Sequence, residues 1–251
     1  MNKWFAENAP AMQARLIGAL YLISGEAFTF AENKVRGKLV DLNDAAATAH
    51  NILTHQTLYR QGLAAEAAPL YLIVTLLLYW LLKPVNKNLS MAAAVFSMAG
   101  CIVQAVNVLL HAAPLILLTD AHLAAVLPAA QLQGMALFSL KLAAEGTNLF
   151  MLFFGCYCFL LGCLILRARF MPRIIGAFLT VAGSAYLFSY FAAYLAPALE
   201  ARIYPNIILW PGIAGEGSLI LWLLIMGVNA RRWREQAGAG RVCIDAAPVA
   251  P

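Results

Sequence analysis

Six apolar stretches, each near the roughly 20 residues that cross a bilayer core, recur along this 251-residue chain and leave it few ways to fold. They run over 12–31, 60–82, 89–110, 146–166, 172–195 and 207–228. Charged residues make up 12% and hydrophobic ones 63%, about half the charge of an ordinary soluble domain, so lipid is the expected solvent. No ten-residue segments alternate in the manner of a transmembrane barrel. The fold class that follows is all-α: a polytopic membrane protein with six transmembrane helices in a single domain over 1–234. The first stretch is too long for the apolar region of a signal peptide and lacks a small-x-small cleavage site before Glu32, so it reads as a retained helix.

Basic residues set the orientation. Eleven of the 17 lie on one side of the spans, among them Lys83, Lys87, Arg167, Arg169, Arg173, Arg231, Arg232 and Arg234. Six, including Lys34, Arg36, Arg60 and Lys141, lie on the other, and the positive-inside rule then places both termini in the cytoplasm. Because these charges cluster at span ends instead of along one face, the net +5 argues for topology and against nucleic acid as a partner. Two longer outer segments need helices of their own. Asp44 is suited to cap one at the surface. The apolar segment between spans three and four calls for a surface-lying or re-entrant helix starting near Pro128. The small, Pro-bearing end of the chain, 235–251, reads as a disordered cytoplasmic tail, with Cys243 in it. The five cysteines are an odd count, and Cys156 and Cys158 diverge on a helix, so neither a disulfide framework nor a looped metal clip is indicated.

Carboxylates inside such spans carry the functional question. "GLAAEA" around Glu66, "LAAEG" around Glu145 and "GIAGEG" around Glu216 share small residues flanking an acid, with "SGEA" around Glu26 a looser fourth. Three helical-hairpin pseudo-repeats would produce this weak pattern. Measured along the helices from Arg15, Arg231 and Lys83, Glu26, Glu216 and Glu66 lie about 16, 22 and 25 Å from the cytoplasmic face, and Glu145 about 33 Å from Arg167. A charge near the bilayer centre costs ~2.5–3.5 kcal/mol, so the first three are expected to face inward, toward one outward-opening polar pocket. Gly62 and Gly212 each stand four residues before an acid, on the same helix face, and suit close packing there. The pocket candidates are Glu26, Glu66, Asn107, His111, Glu145, Asn148, Tyr186, Tyr190 and Glu216.

The stretches "VRGKLV" with "DAAATAHNIL", "LLKPVNKNL", "LFFGCYCFLLGCLILRARFMPRIIG" and "GEGSLILWLLIMGVN" together resemble the bacterial membrane family catalogued as domain of unknown function 4386. The resemblance implies a multi-pass bacterial inner-membrane protein and carries over no catalytic residue. The reading that follows is binding or transport of a small molecule or cation through the polar pocket, with the lipid bilayer as surroundings and "GIAGEG" as a candidate helix break. A metal-dependent membrane enzyme is the alternative, although no HExxH or comparable spacing fixes its ligands. A membrane scaffold that binds partners through its outer loops is a third. In either of the first two the acids act; otherwise they only hydrogen-bond helices together. Walker, GxSxG and dinucleotide motifs are absent, and the sequence names no cofactor, no metal and no reaction.

Overall fold

The computed structural model describes residues 2–66, 69–204 and 206–245. Those residues are almost entirely helical, with no strand among them. Helix α1 (Asn2–Thr29) passes into a π-helical segment, Phe30–Arg36, and a short α2 (Gly37–Leu39). Then come α3 (Ala45–Thr54), α4 (Gln56–Glu66), α5 (Leu70–Leu82), α6 (Lys87–Thr119), α7 (Ala121–Val126) and α8 (Ala129–Arg167). The chain closes with α9 (Arg173–Leu195), α10 (Pro197–Ile203), α11 (Asn206–Gly212), a second π-helical segment Ile213–Gly217, α12 (Ser218–Ile225) and α13 (Ala230–Asp245).

Among the described residues, six helical stretches are long and apolar enough to cross a membrane: Ala9–Leu39, Gln56–Leu82, Lys87–Thr119, Ala129–Arg167, Arg173–Leu195 and Asn206–Ile225. Each overlaps one of the six expected spans. Protein covers only 17% to 44% of their most apolar windows, and side chains such as Ile102, Leu109, Phe138 and Leu195 stand exposed, which is the surface a lipid solvent requires.

Local chemistry sets the boundaries. Asp44 caps α3 as expected, its carboxylate accepting from the Ala47 amide at 2.9 Å. Asp120 does the same for α7, accepting from His122 and Leu123. Pro172 holds the extended backbone that starts α9. Between α12 and α13 the chain turns at Gly227, whose φ of 69° is one that side chains resist.

Three features differ from the sequence reading. The helix expected to begin near Pro128 does begin there, but it is not a separate re-entrant piece. It is the start of α8, 39 residues without a break, or about 58 Å against a core of ~30 Å. The reason is plain in the sequence: no proline follows Pro128 before Pro172. At the other end, α13 carries helix through Asp245, where a disordered tail is expected from 235; residues 246–251 lie outside the described ones. An exposed Arg231–Glu235 pair, one turn apart at 2.9 Å, supports its first turns. Finally, where the sequence reads as one domain, contacts divide the chain into two compact units.

The first unit comprises Met1–Leu22, Tyr71–Ala99 and Met151–Pro251. Its centre is a glycine seam between α8 and α9. A Cβ on Gly176 would lie 2.7 Å from the Leu166 amide nitrogen and 2.8 Å from the Gly162 carbonyl, and one on Gly155 would lie 3.2 Å from the Gly183 carbonyl. Glycines seven apart on each helix thus let two backbones touch, the contact that drives helix association in lipid. Gly18 does the same for α1 against α12, where a Cβ would come within 2.6 Å of the Leu224 nitrogen. A buried Thr75–Ser97 hydrogen bond of 2.6 Å joins α5 to α6.

The second unit comprises Ile23–Leu70 and Gly100–Phe150. Val35, Leu39, Ile52, Tyr59, Leu115 and Leu140 form its core. Gly62 lies against Val35, whose methyls a Cβ would meet at 3.0 Å, so α4 can approach the first π segment closely. Pro114 cannot donate to the carbonyl one turn back, and in that loosened turn of α6 the His111 carbonyl accepts from the Tyr59 hydroxyl at 2.6 Å.

Candidate functional sites around two carboxylates

Glu216 sits in the second π segment, in the first unit. Pro211 removes an amide donor from the preceding turn, and Gly212, Gly215 and Gly217 leave that stretch with little side-chain bulk, so the helix widens instead of breaking. Gly215 packs on α9, where a Cβ would be 3.0 Å from the Ala182 methyl and 3.1 Å from the Phe178 carbonyl. This seats Glu216 beside α9 and α1. One carboxyl oxygen, Oε2, accepts from the Tyr21 hydroxyl at 2.9 Å; the other, Oε1, accepts from the Tyr186 hydroxyl. Tyr71 donates in turn to the Tyr21 oxygen at 3.3 Å, so two phenols hold the acid and a third backs one of them.

Aromatic rings wall this site. Tyr71 packs edge-on against Tyr21 at 5.4 Å between centroids, Phe154 lies 5.9 Å from Tyr71, and Phe154 also lies 5.5 Å from Tyr186. Tyr21 and Tyr186 are buried, and Glu216, like Glu66, is half-buried as a whole residue. Among the described residues Glu216 forms no ion pair. Gly212 completes the arrangement: a Cβ there would come 2.5 Å from the Tyr186 hydroxyl oxygen.

Glu66 lies in the second unit and is held quite differently. Arg36 grips it with both terminal nitrogens, Nη1 to Oε2 at 2.7 Å and Nη2 to Oε1 at 3.3 Å, and Nη2 also reaches Glu32 at 2.6 Å. Gln104 donates to Oε1 at 2.5 Å, and His111 Nδ1 stands 3.1 Å from both oxygens. The Glu66 side chain is 0% exposed and that of Arg36 is 11% exposed. Glu32 and Arg36 come from the first π segment, one turn apart, so both π segments among the described residues present acids or their partners. Gln104, Asn107 and His111 form a stripe at i, i+3 and i+7 on α6. Asn107 donates to the Thr147 hydroxyl at 3.1 Å and occupies space that Gly146 leaves free.

Of the residues singled out in the sequence, the fold therefore joins Glu216 to Tyr186 and Glu66 to His111, with Asn107 on the same face of α6 as His111. Glu26, expected inward, is exposed. At about 100° per residue it lies roughly 140° around α1 from buried Tyr21, on the other side of the helix. Asn148 donates to Glu145 at 3.4 Å in an exposed pair one turn apart, and Tyr190 packs against Phe191 and Tyr194. Glu26, Glu66 and Glu216 share no hydrogen-bond partner among the described residues. Sequence reasoning missed Arg36, which it counted as an outer anchor, along with Glu32, Gln104, Tyr21 and Tyr71. Gln104 was within reach, three residues before Asn107 on the same face.

For the metal-enzyme alternative, no group of three or more His, Cys, Asp or Glu among the described residues is placed to hold an ion. Cys101, Cys156, Cys158 and Cys163 are free thiols. Comparison with known proteins adds three findings. A family model described as Domain of unknown function (DUF4386) matches residues 16–227. An uncharacterized protein of Archaeoglobus fulgidus is 27% identical over 154 residues, covering 61% of this chain and 75% of that protein. No solved structure matches the chain.

Proposed function

This chain belongs to the family described as domain of unknown function (DUF4386), and from that premise we propose that it binds or moves a cation, the proton foremost, through the carboxyl of Glu216. It would do so as an inner-membrane protein with both termini in the cytoplasm, in keeping with the distribution of its basic residues.

The contrast between the two held carboxylates carries this reading. Arg36 already supplies Glu66 with a positive partner at 2.7 Å. Such a pair fixes structure. Glu216 instead has phenol donors and no ion-pair partner among the described residues. An intramembrane acid in that state is a place where positive charge can come and go. Rings at 5.4 to 5.9 Å from one another leave no gap for a bulky ligand between them, and a proton is the cation that needs none. The Tyr71, Tyr21 and Glu216 hydrogen bonds form a chain along which hydroxyl groups can pass a proton to the carboxyl. A small-molecule substrate coupled to that proton would require these rings to part.

Proton entry into proteoliposomes tests the proposal. With a pH-sensitive dye inside and an inside-negative potassium diffusion potential, wild-type protein should acidify the lumen faster than Glu216→Gln. Equal rates for the two, in vesicles holding equal amounts of folded protein, would overturn it.

A further inference from the structure

We infer that the cleft between the α8–α9 connection and α13 binds a phosphate group, that of an anionic lipid headgroup or of a free phosphate. Neither Glu216 nor its neighbours enter into this. The cleft is a cavity of ≈ 440 Å³ lined by Ala168, Arg169, Met171, Arg173, Arg232 and Glu235, all in the first unit. Three arginines face one carboxylate, and that carboxylate is engaged by Arg231 at 2.9 Å. Arg169, Arg173 and Arg232 are exposed and form no ion pair among the described residues, so their positive charge is unspent. Ala168 and Met171 are buried and give the cleft an apolar floor.

Its walls are fixed. The Arg169 amide donates to Gln236 Oε1 at 3.0 Å, the Asn229 amide to the Phe170 carbonyl at 3.2 Å, and Trp233 Nε1 to the Leu81 carbonyl at 2.8 Å. Helix α13 is thereby tied to the ends of the spans. Because α8 ends at Arg167 and α9 begins at Arg173, the cleft lies at the shared end of two candidate spans, where lipid phosphates would stand. Guanidinium groups bind phosphate oxygens in pairs, and basic clusters beside span ends attract anionic headgroups. An apolar floor beneath the charges suits the glycerol and upper acyl carbons of a lipid better than a bare anion.

The full chain in detergent, titrated separately with phosphatidylglycerol, phosphatidylcholine and inorganic phosphate, tests this. Phosphatidylglycerol should bind, and the triple variant Arg169→Gln, Arg173→Gln, Arg232→Gln should lose affinity about fivefold per arginine, roughly a hundredfold in all. Arg60→Gln, on α4, is the control and should bind as wild type. Binding of phosphatidylglycerol alone assigns the site to a headgroup; comparable binding of inorganic phosphate assigns it to the soluble anion. If phosphatidylcholine binds equally well, or the triple variant retains wild-type affinity for every probe, the inference is wrong. Should the triple variant fold poorly, Arg173→Gln alone must still show its fivefold loss, and full affinity there overturns the inference as surely.

Discussion

Arg36 and Glu66, thirty residues apart in the chain, meet through two nitrogens and two oxygens at 2.7 and 3.3 Å with the Glu66 side chain wholly enclosed. Removing one partner of such a pair strands a buried charge, at about 3–5 kcal/mol. Arg36→Ala is therefore expected to lower the melting temperature and folded yield sharply. The double variant Arg36→Met, Glu66→Leu, which removes both charges, should recover most of the loss. A fully stable Arg36→Ala would show that the pair contributes nothing to the fold.

Gly212 clears the space that the Tyr186 hydroxyl occupies. Leucine there overpacks that contact and should cost about 1–3 kcal/mol. Gly212→Ala isolates the cause, because its Cβ would meet the phenol oxygen at 2.5 Å and nothing else so closely. Tyr186→Phe removes that oxygen, so the alanine should be less harmful in the Tyr186→Phe background than alone. Equal penalties in both backgrounds, read from thermal melts in detergent, would separate Gly212 from Tyr186.

Orientation is open to direct labelling. Thr54 is exposed at the end of α3 and Asn88 is exposed at the start of α6. In a background without native thiols, a cysteine at Thr54 should react with an impermeant maleimide in intact cells. One at Asn88 should react only after the inner membrane is opened. The reverse pattern would invert the proposed topology.

Six spans and the cap at Asp44 could be read from the sequence because apolar length and a side-chain cap are local properties. The continuity of α8 was equally present in the sequence, in the lack of proline after 128, but the apolar length of a single crossing argued for a break. Partners of the acids were harder. His111 and Tyr186 were legible as polar groups at suitable depth. Tyr21 joins Glu216 across 195 residues of sequence, and no spacing rule reaches that far. Arg36 looked like an interfacial anchor, since a lone arginine near a span end usually is one. Its role depends on Gly62 letting α4 approach Val35, which is a matter of packing.

The phenol hydroxyls should act on Glu216 at a modest cost to the fold. Tyr21→Phe removes the hydrogen bond to Oε2, a loss of about 0.5–1.5 kcal/mol, and leaves the ring packing intact. Tyr71→Phe, one bond further out, should slow proton entry less than Tyr21→Phe does. A larger effect of Tyr71→Phe would contradict the order of the hydrogen-bond chain.

Infrared difference spectroscopy of the reconstituted protein between two pH values reads the exchangeable proton at its own atom. If Glu216 takes up and releases a proton, wild type shows a carboxyl C=O stretching band that grows on acidification, and Glu216→Gln lacks it while keeping the remaining spectrum. A difference spectrum in which that band persists unaltered in Glu216→Gln would contradict the account.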